Sequence, residues 1–361
     1  MTALILALLS VVTPAQWSVE RDPWRVLFQV RLGEVGLFEA LPEEPAPVAV
    51  DARRASVFVG GRSGTLRCLD WSTGRERWTH ASKGAIRVTP LVHGGRVYVG
   101  NMDGLFWALD AASGAVAWET RAGDAVTGDA VVSGDRVLFT DARGAVQAID
   151  LTSGVRQWRH RREVAQRFTV QAEGALLVRG SEVLAGFPDG HLLTLDVTSG
   201  EVLRDLDLSG GARDLADIES AFLVLDDLLV AASYSGGLWG LDAASGAVRW
   251  HDEGAAFSFP TSHQGRLLVV KDGRKLLQVD PKNGALTPVA ELRTGAVRDA
   301  ASVAGDLWLA DGTSLLRFDE KAPDGSLRLA FFHGISTVPA GSGSRLYILS
   351  DSGYIYGLEK P

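Results

Sequence analysis

The stretch that decides the fold is residues 96–118, RVYVGNMDGLFWALDAASGAVAW. It reads as an apolar strand, a turn at Asp103-Gly104, a second strand ending in Leu109-Asp110, a Ser113-Gly114 turn, and a third strand carrying Trp118. β-Branched and aromatic residues dominate the strands, as they do on pleated, half-buried surfaces. The same reading recurs at 136–158 (RVLFTDARGAVQAIDLTSGVRQW), 227–250 (DLLVAASYSGGLWGLDAASGAVRW) and 56–78 (SVFVGGRSGTLRCLDWSTGRERW). A copy from Glu182 lacks only the tryptophan, and copies from Arg266 and Asp306 are more worn. The last copy, from Arg345, stops after its second strand.

The acidic residue closing the second strand recurs as Asp70, Asp110, Asp150, Asp196, Asp242, Asp280, Asp319 and Glu359, at spacings of 40, 40, 46, 46, 38, 39 and 40. A period near 40 with several strand signals per unit is the mark of a β-propeller with one four-stranded antiparallel blade per repeat. The sequence therefore predicts an all-β, eight-bladed propeller. The last repeat lacks an outer strand, and an open ring would leave unpaired sheet edges. Residues 24–33, WRVLFQVRLG, look like the outer strand at 116–123, VAWETRAG. Residues 24–32 are predicted to pair with the strand near Tyr354–Leu358 and to close the ring.

The repeated residues have structural chemistry. The carboxylates of Asp70, Asp110, Asp150 and Asp242 can accept hydrogen bonds from the backbone of the following turn. Gly74, Gly114, Gly154 and Gly246 supply the positive φ such a turn demands. Trp78, Trp118, Trp158 and Trp250 are expected on outer strands, filling the gaps between blades with each indole N–H on a backbone acceptor. The acids are read as turn caps and not as a ring of metal ligands.

Composition narrows the function. The formal charge is −8 with a pI of about 5.4, so no basic footprint for nucleic acid is present. The one basic cluster, Arg159 to Arg162, reads as a solvated strand end. The single cysteine, Cys68, excludes an intrachain disulfide and falls in the small-residue slot of Ala108 and Ala148. No G-x-S-x-G elbow or H-x-H spacing occurs, and His80, His160 and His251 read as solvent-facing strand residues. No catalytic, cofactor-binding or metal-binding set is predicted. Residues 1–15 carry an apolar run from Ala3 to Val12, too short for the about 20 residues of a membrane span. With Thr13 and Ala15 in the small-residue positions, they read as an export signal ahead of a propeller at 16–361.

The pattern A-x-D-x-x-[ST]-G-x-x-x-W, seen at Ala108, Asp110, Ser113, Gly114 and Trp118, resembles the pyrroloquinoline-quinone (PQQ) type propeller repeat. Within that superfamily the chain resembles the BamB family, the propeller subunits of the machinery that assembles β-barrels in the bacterial outer membrane. The segment entering the fifth repeat, with Arg213, Leu215, Asp217, Ile218 and Glu219, resembles that family's R-x-x-D-I-D/E motif. The resemblance implies that this loop binds the periplasmic POTRA domains of BamA, with the protein a monomer at the periplasmic face of the outer membrane. The flanking repeats of 46 residues fit an insertion there. Ala15-Gln16-Trp17 stands where lipoprotein members carry an acylated cysteine, which implies either a periplasmic relative without that anchor or a function that has drifted from the family's. Two other functions use the same repeat: a PQQ-dependent dehydrogenase, and a secreted ligand- or protein-binding propeller of unrelated role.

Overall fold

The computed structural model describes residues 24–32, 48–162, 175–211, 222–233, 235–292, 296–297, 299–321, 327–330, 334–335 and 337–360. The predicted signal, residues 1–15, lies outside them. The described strands form eight four-stranded antiparallel sheets. Blade one spans 49–81, blade two 91–121, blade three 131–161, blade four 176–207, blade five 223–252, blade six 257–291 and blade seven 299–330. Blade eight combines Ala340–Ser342, Arg345–Leu349 and Tyr354–Glu359 with Arg25–Arg31 from the N-terminal end.

Closure follows the predicted pairing. Arg25 pairs with Glu359, Gln29 with Tyr356 and Arg31 with Tyr354, with a bulge between Val26 and Phe28. The outer strand of blade one bulges at the same place, between its Glu76 and Trp78 pairings. Phe28 opposite Gly357 thus occupies the slot that Trp78 holds opposite Cys68. Inner strands Ala340–Ser342 and Ala49–Asp51 also touch, which completes the ring.

Burial explains the strand composition. In blade two the third strand, Leu105–Asp110, is buried at four successive positions because other blades cover both its faces. The outer strand Val116–Arg121 is exposed except around Trp118. The apolar clusters accordingly lie between blades. One joins Phe58 and Trp78 of blade one to Tyr98 and Phe106 of blade two and Phe139 of blade three. Another joins Phe28 and Tyr347 of blade eight to Val57 and Leu69 of blade one. Cys68 is fully buried in the first of these, as its repeat slot predicts.

Antiparallel order sorts the connections onto two faces. The links between blades and the turns between second and third strands share one, the loop face. The Asp–Ser–Gly turns lie on the opposite, turn face.

Candidate functional site

On the turn face the repeated residues do structural chemistry. Asp110 Oδ1 accepts from the Ala112 N–H at 3.1 Å, the Ser113 N–H at 2.8 Å and the Ser113 hydroxyl at 2.8 Å. Asp70, Asp150, Asp196 and Asp242 repeat the arrangement on their own turns. Gly114 adopts φ of 74°, and a Cβ there would lie 2.6 Å from Trp78 Cε3. Gly154 and Gly200 meet Trp118 and Trp158 in the same way. Gly74 meets Phe28, whereas Gly246 meets Leu206 and Arg204 in the one of these junctions where arginine replaces the ring.

Each indole then donates to the residue following the next blade's aspartate: Trp78 to the Ala111 carbonyl at 3.1 Å, Trp118 to Leu151 at 3.0 Å, Trp158 to Val197 at 2.8 Å and Trp250 to Pro281 at 3.0 Å. Burial opposes ionisation of Asp70, but hydrogen bonds from Arg77, Thr73 and the turn amides bring its carboxyl down to about 2. The Ser113 hydroxyl and amide likewise hold Asp110 low. Carboxylates already committed to these donors hold turns and blades together.

The functional side is better sought on the loop face. Arg162, at the end of blade three, pairs with Asp189 and Asp205 of blade four, both at 2.8 Å. Asp205 also meets His191 Nδ1 at 2.6 Å. The basic run at 159–162 is therefore not simply solvated, since Arg159 also pairs with buried Asp141 at 2.9 Å. Arg213, Leu215, Asp217, Ile218 and Glu219 lie outside the described residues, within the link from blade four to blade five.

Two carboxyls at the axis had no signal in the repeat. Asp129 enters the inner strand of blade three and accepts from the Thr89 N–H at 2.7 Å and hydroxyl at 2.6 Å. Asp299 enters that of blade seven, accepting from Val338 N–H at 3.0 Å and Ala300 N–H at 2.8 Å. Blades three and seven are four apart in a ring of eight, so the two acids face each other across the axis. Asp129 is exposed to solvent, but the protein packed close around it disfavours its charged form. Burial pushes both carboxyls up, Asp299 to about 6, with the Asp129 charge adding to the effect on Asp299.

The histidines depart from expectation: His80, His160 and His251 are half-buried. Strand alternation puts His80 and His160 on the same side as Trp78 and Trp158, and His80 lies 5.2 Å from the Trp107 ring. Burial lowers the pKa of both. His251 instead stacks on Trp239 at 3.5 Å, with Nε2 2.8 Å from the Gly236 carbonyl oxygen. Among the described residues, no group of three or more His, Cys, Asp and Glu side chains is placed to hold a metal ion, and no helix is long and apolar enough to cross a membrane.

A family profile described as outer membrane protein assembly factor BamB matches residues 17–127 and 62–287. The chain belongs to the BamB family. The BamB of Alkalilimnicola ehrlichii is 31% identical over 201 residues, covering 53% of this chain and 52% of that protein. The BamB of Legionella pneumophila is 23% identical over 198 residues, with the same coverage of 53% and 52%. The aligned part spans about half the length of these curated relatives. Among solved structures, BamB from Moraxella catarrhalis superposes with a TM-score of 0.75 at 19% identity, over 93% of this chain and 99% of that one. A quinohemoprotein alcohol dehydrogenase from Comamonas testosteroni gives 0.65 at 14% identity, over 95% and 77%. At these identities the structural likeness is one of fold, so membership of the BamB family rests on the profile match.

Proposed function

We propose that this propeller is a non-catalytic periplasmic scaffold that supports assembly and insertion of β-barrel proteins into the outer membrane. The observation that carries the reading is the family match across residues 17–287. A closed ring of packed blades suits the role, because a rigid scaffold presents its loops with little ordering cost on binding. The protein acts as an exported monomer, peripheral to the membrane, with the POTRA domains of BamA as partner. Arg213, Leu215, Asp217, Ile218 and Glu219 form the contact. Alcohol or sugar oxidation is not expected when quinone and calcium are supplied.

Charge reversal tests the contact. Arg213→Glu combined with Asp217→Arg should weaken binding to purified POTRA domains about tenfold or more by calorimetry, because like charges then face the partner. The melting temperature should not change. Unaltered affinity would remove these residues from the contact. A parallel loss of affinity and melting temperature would make them structural.

A further inference from the structure

Between blades six and seven the docking rule fails. Junctions one to two, two to three, three to four and five to six each receive an indole on the next blade's turn. In blade six the sequence slot holds Pro288, and the strand bulge moves to Val289, between the pairings of Leu277 with Pro288 and Leu276 with Ala290. The small residue facing each ring elsewhere, as at Cys68, Ala108, Ala148 and Gly240, is here Gln278, held by Arg266 Nε at 2.9 Å. Leu268 occupies the position of Phe58 and Tyr98, whose rings lie 5.7 and 5.8 Å from Trp78 and Trp118. The buried residues of this junction are all aliphatic.

What remains is a cavity of about 590 Å³, within the range of ligand sites. Leu268, Val289, Leu307 and Phe318 supply the apolar part of its lining, and polar or charged residues, Arg266, Asp306, Arg317 and Glu320 among them, supply the larger part. Glu320 follows Asp319, so it stands at the position whose carbonyl takes the indole N–H at the other junctions. The cavity lies by the turn face, away from the loop-face contact proposed above. Its edge carries both charge signs: Arg266 meets Glu320 at 2.5 Å, and Lys360 meets Asp306 at 3.2 Å.

We propose that this cavity is a socket for an aromatic side chain, tryptophan above all, presented by another polypeptide. The partner would supply the wedge that the chain supplies to itself at four other junctions. An indole buries a large flat surface and brings one N–H donor, which suits a lining that sets apolar side chains beside the acidic Asp306 and Glu320. Tryptophan is also the side chain that most often dominates binding energy at interfaces. The paired charges at the edge suit the backbone amides on either side of the inserted ring.

The test uses the full chain and N-acetyl-5-fluorotryptophanamide, followed by fluorine NMR. Saturable line broadening is expected, displaced by a tryptophan-containing peptide and not by its leucine counterpart. Val289→Trp, which offers the cavity an indole of its own, should weaken probe binding about tenfold or more without lowering the melting temperature. If that variant does not fold, Val289→Phe is read in its place and should weaken binding in the same direction. No saturable binding, equal displacement by the leucine peptide, or undiminished binding in the folded variant would each overturn the proposal.

Discussion

The hydroxyl of Tyr347 donates to the carbonyl of Trp71 at 2.9 Å. Trp71 follows Asp70, so this carbonyl is the one that receives an indole N–H at the tryptophan junctions. Phe28 fills the ring position here but has no donor, and Tyr347, two strands further in on the same blade, provides the bond. The seam where the two ends of the chain meet thus repeats the docking chemistry with two residues instead of one.

Removing either half should weaken the seam. Tyr347→Phe leaves a partly buried carbonyl without its donor, a loss of about 1–2 kcal/mol. Phe28→Ala removes a buried ring, a loss of about 3–5 kcal/mol. Urea denaturation of both variants checks the order. Wild-type stability for Phe28→Ala would mean that the N-terminal strand does not close the ring.

Gly114 and Gly134 separate close packing from backbone conformation. Both have positive φ, 74° and 57°, but a Cβ at Gly134 meets nothing within 4 Å. Gly134→Ala should cost about 1 kcal/mol and Gly114→Ala about 2 kcal/mol or more, since its methyl also strikes the Trp78 ring. Equal melting temperatures would count against ring-on-glycine docking.

The aspartates give opposite pH dependences. Asp70 titrates near 2 in the folded chain against an ordinary 3.8, so its contribution is full above 3.8 and is lost as pH falls toward 2. Asp299 titrates near 6 against the same 3.8, so its contribution is present below 3.8 and is lost as pH rises through 6. Asp299→Asn should therefore gain on wild type from about pH 4 to pH 7, by at most about 3 kcal/mol. Denaturation midpoints across that range decide it. Parallel profiles would mean that the axial carboxyl is not perturbed.

Cys68 is fully buried, and burial raises its thiol pKa. The native protein should resist a thiol reagent at neutral pH and react once unfolded. Rapid labelling of the native state would place the small-residue slot of blade one at the surface.

Much of this architecture was legible because one rule repeats. Asp110, Gly114 and Trp118 recur with fixed offsets, and even the seam could be read from the likeness of 24–33 to 116–123. The exceptions were not legible. Asp129 and Asp299 lie outside the repeated motif, and only closing eight blades sets them across one axis. His80 and His160 looked exposed because outer strands are polar, yet alternation turns them toward the next blade. The opening between blades six and seven follows from Pro288 and Gln278, which read in sequence only as wear of the repeat.

The most direct measurement of the central claim is co-purification of the tagged protein from detergent-solubilised cell envelope. BamA should be recovered with the wild-type chain and lost with the Arg213→Glu, Asp217→Arg variant. An envelope preparation in which the folded wild-type protein never recovers BamA would contradict the scaffold function.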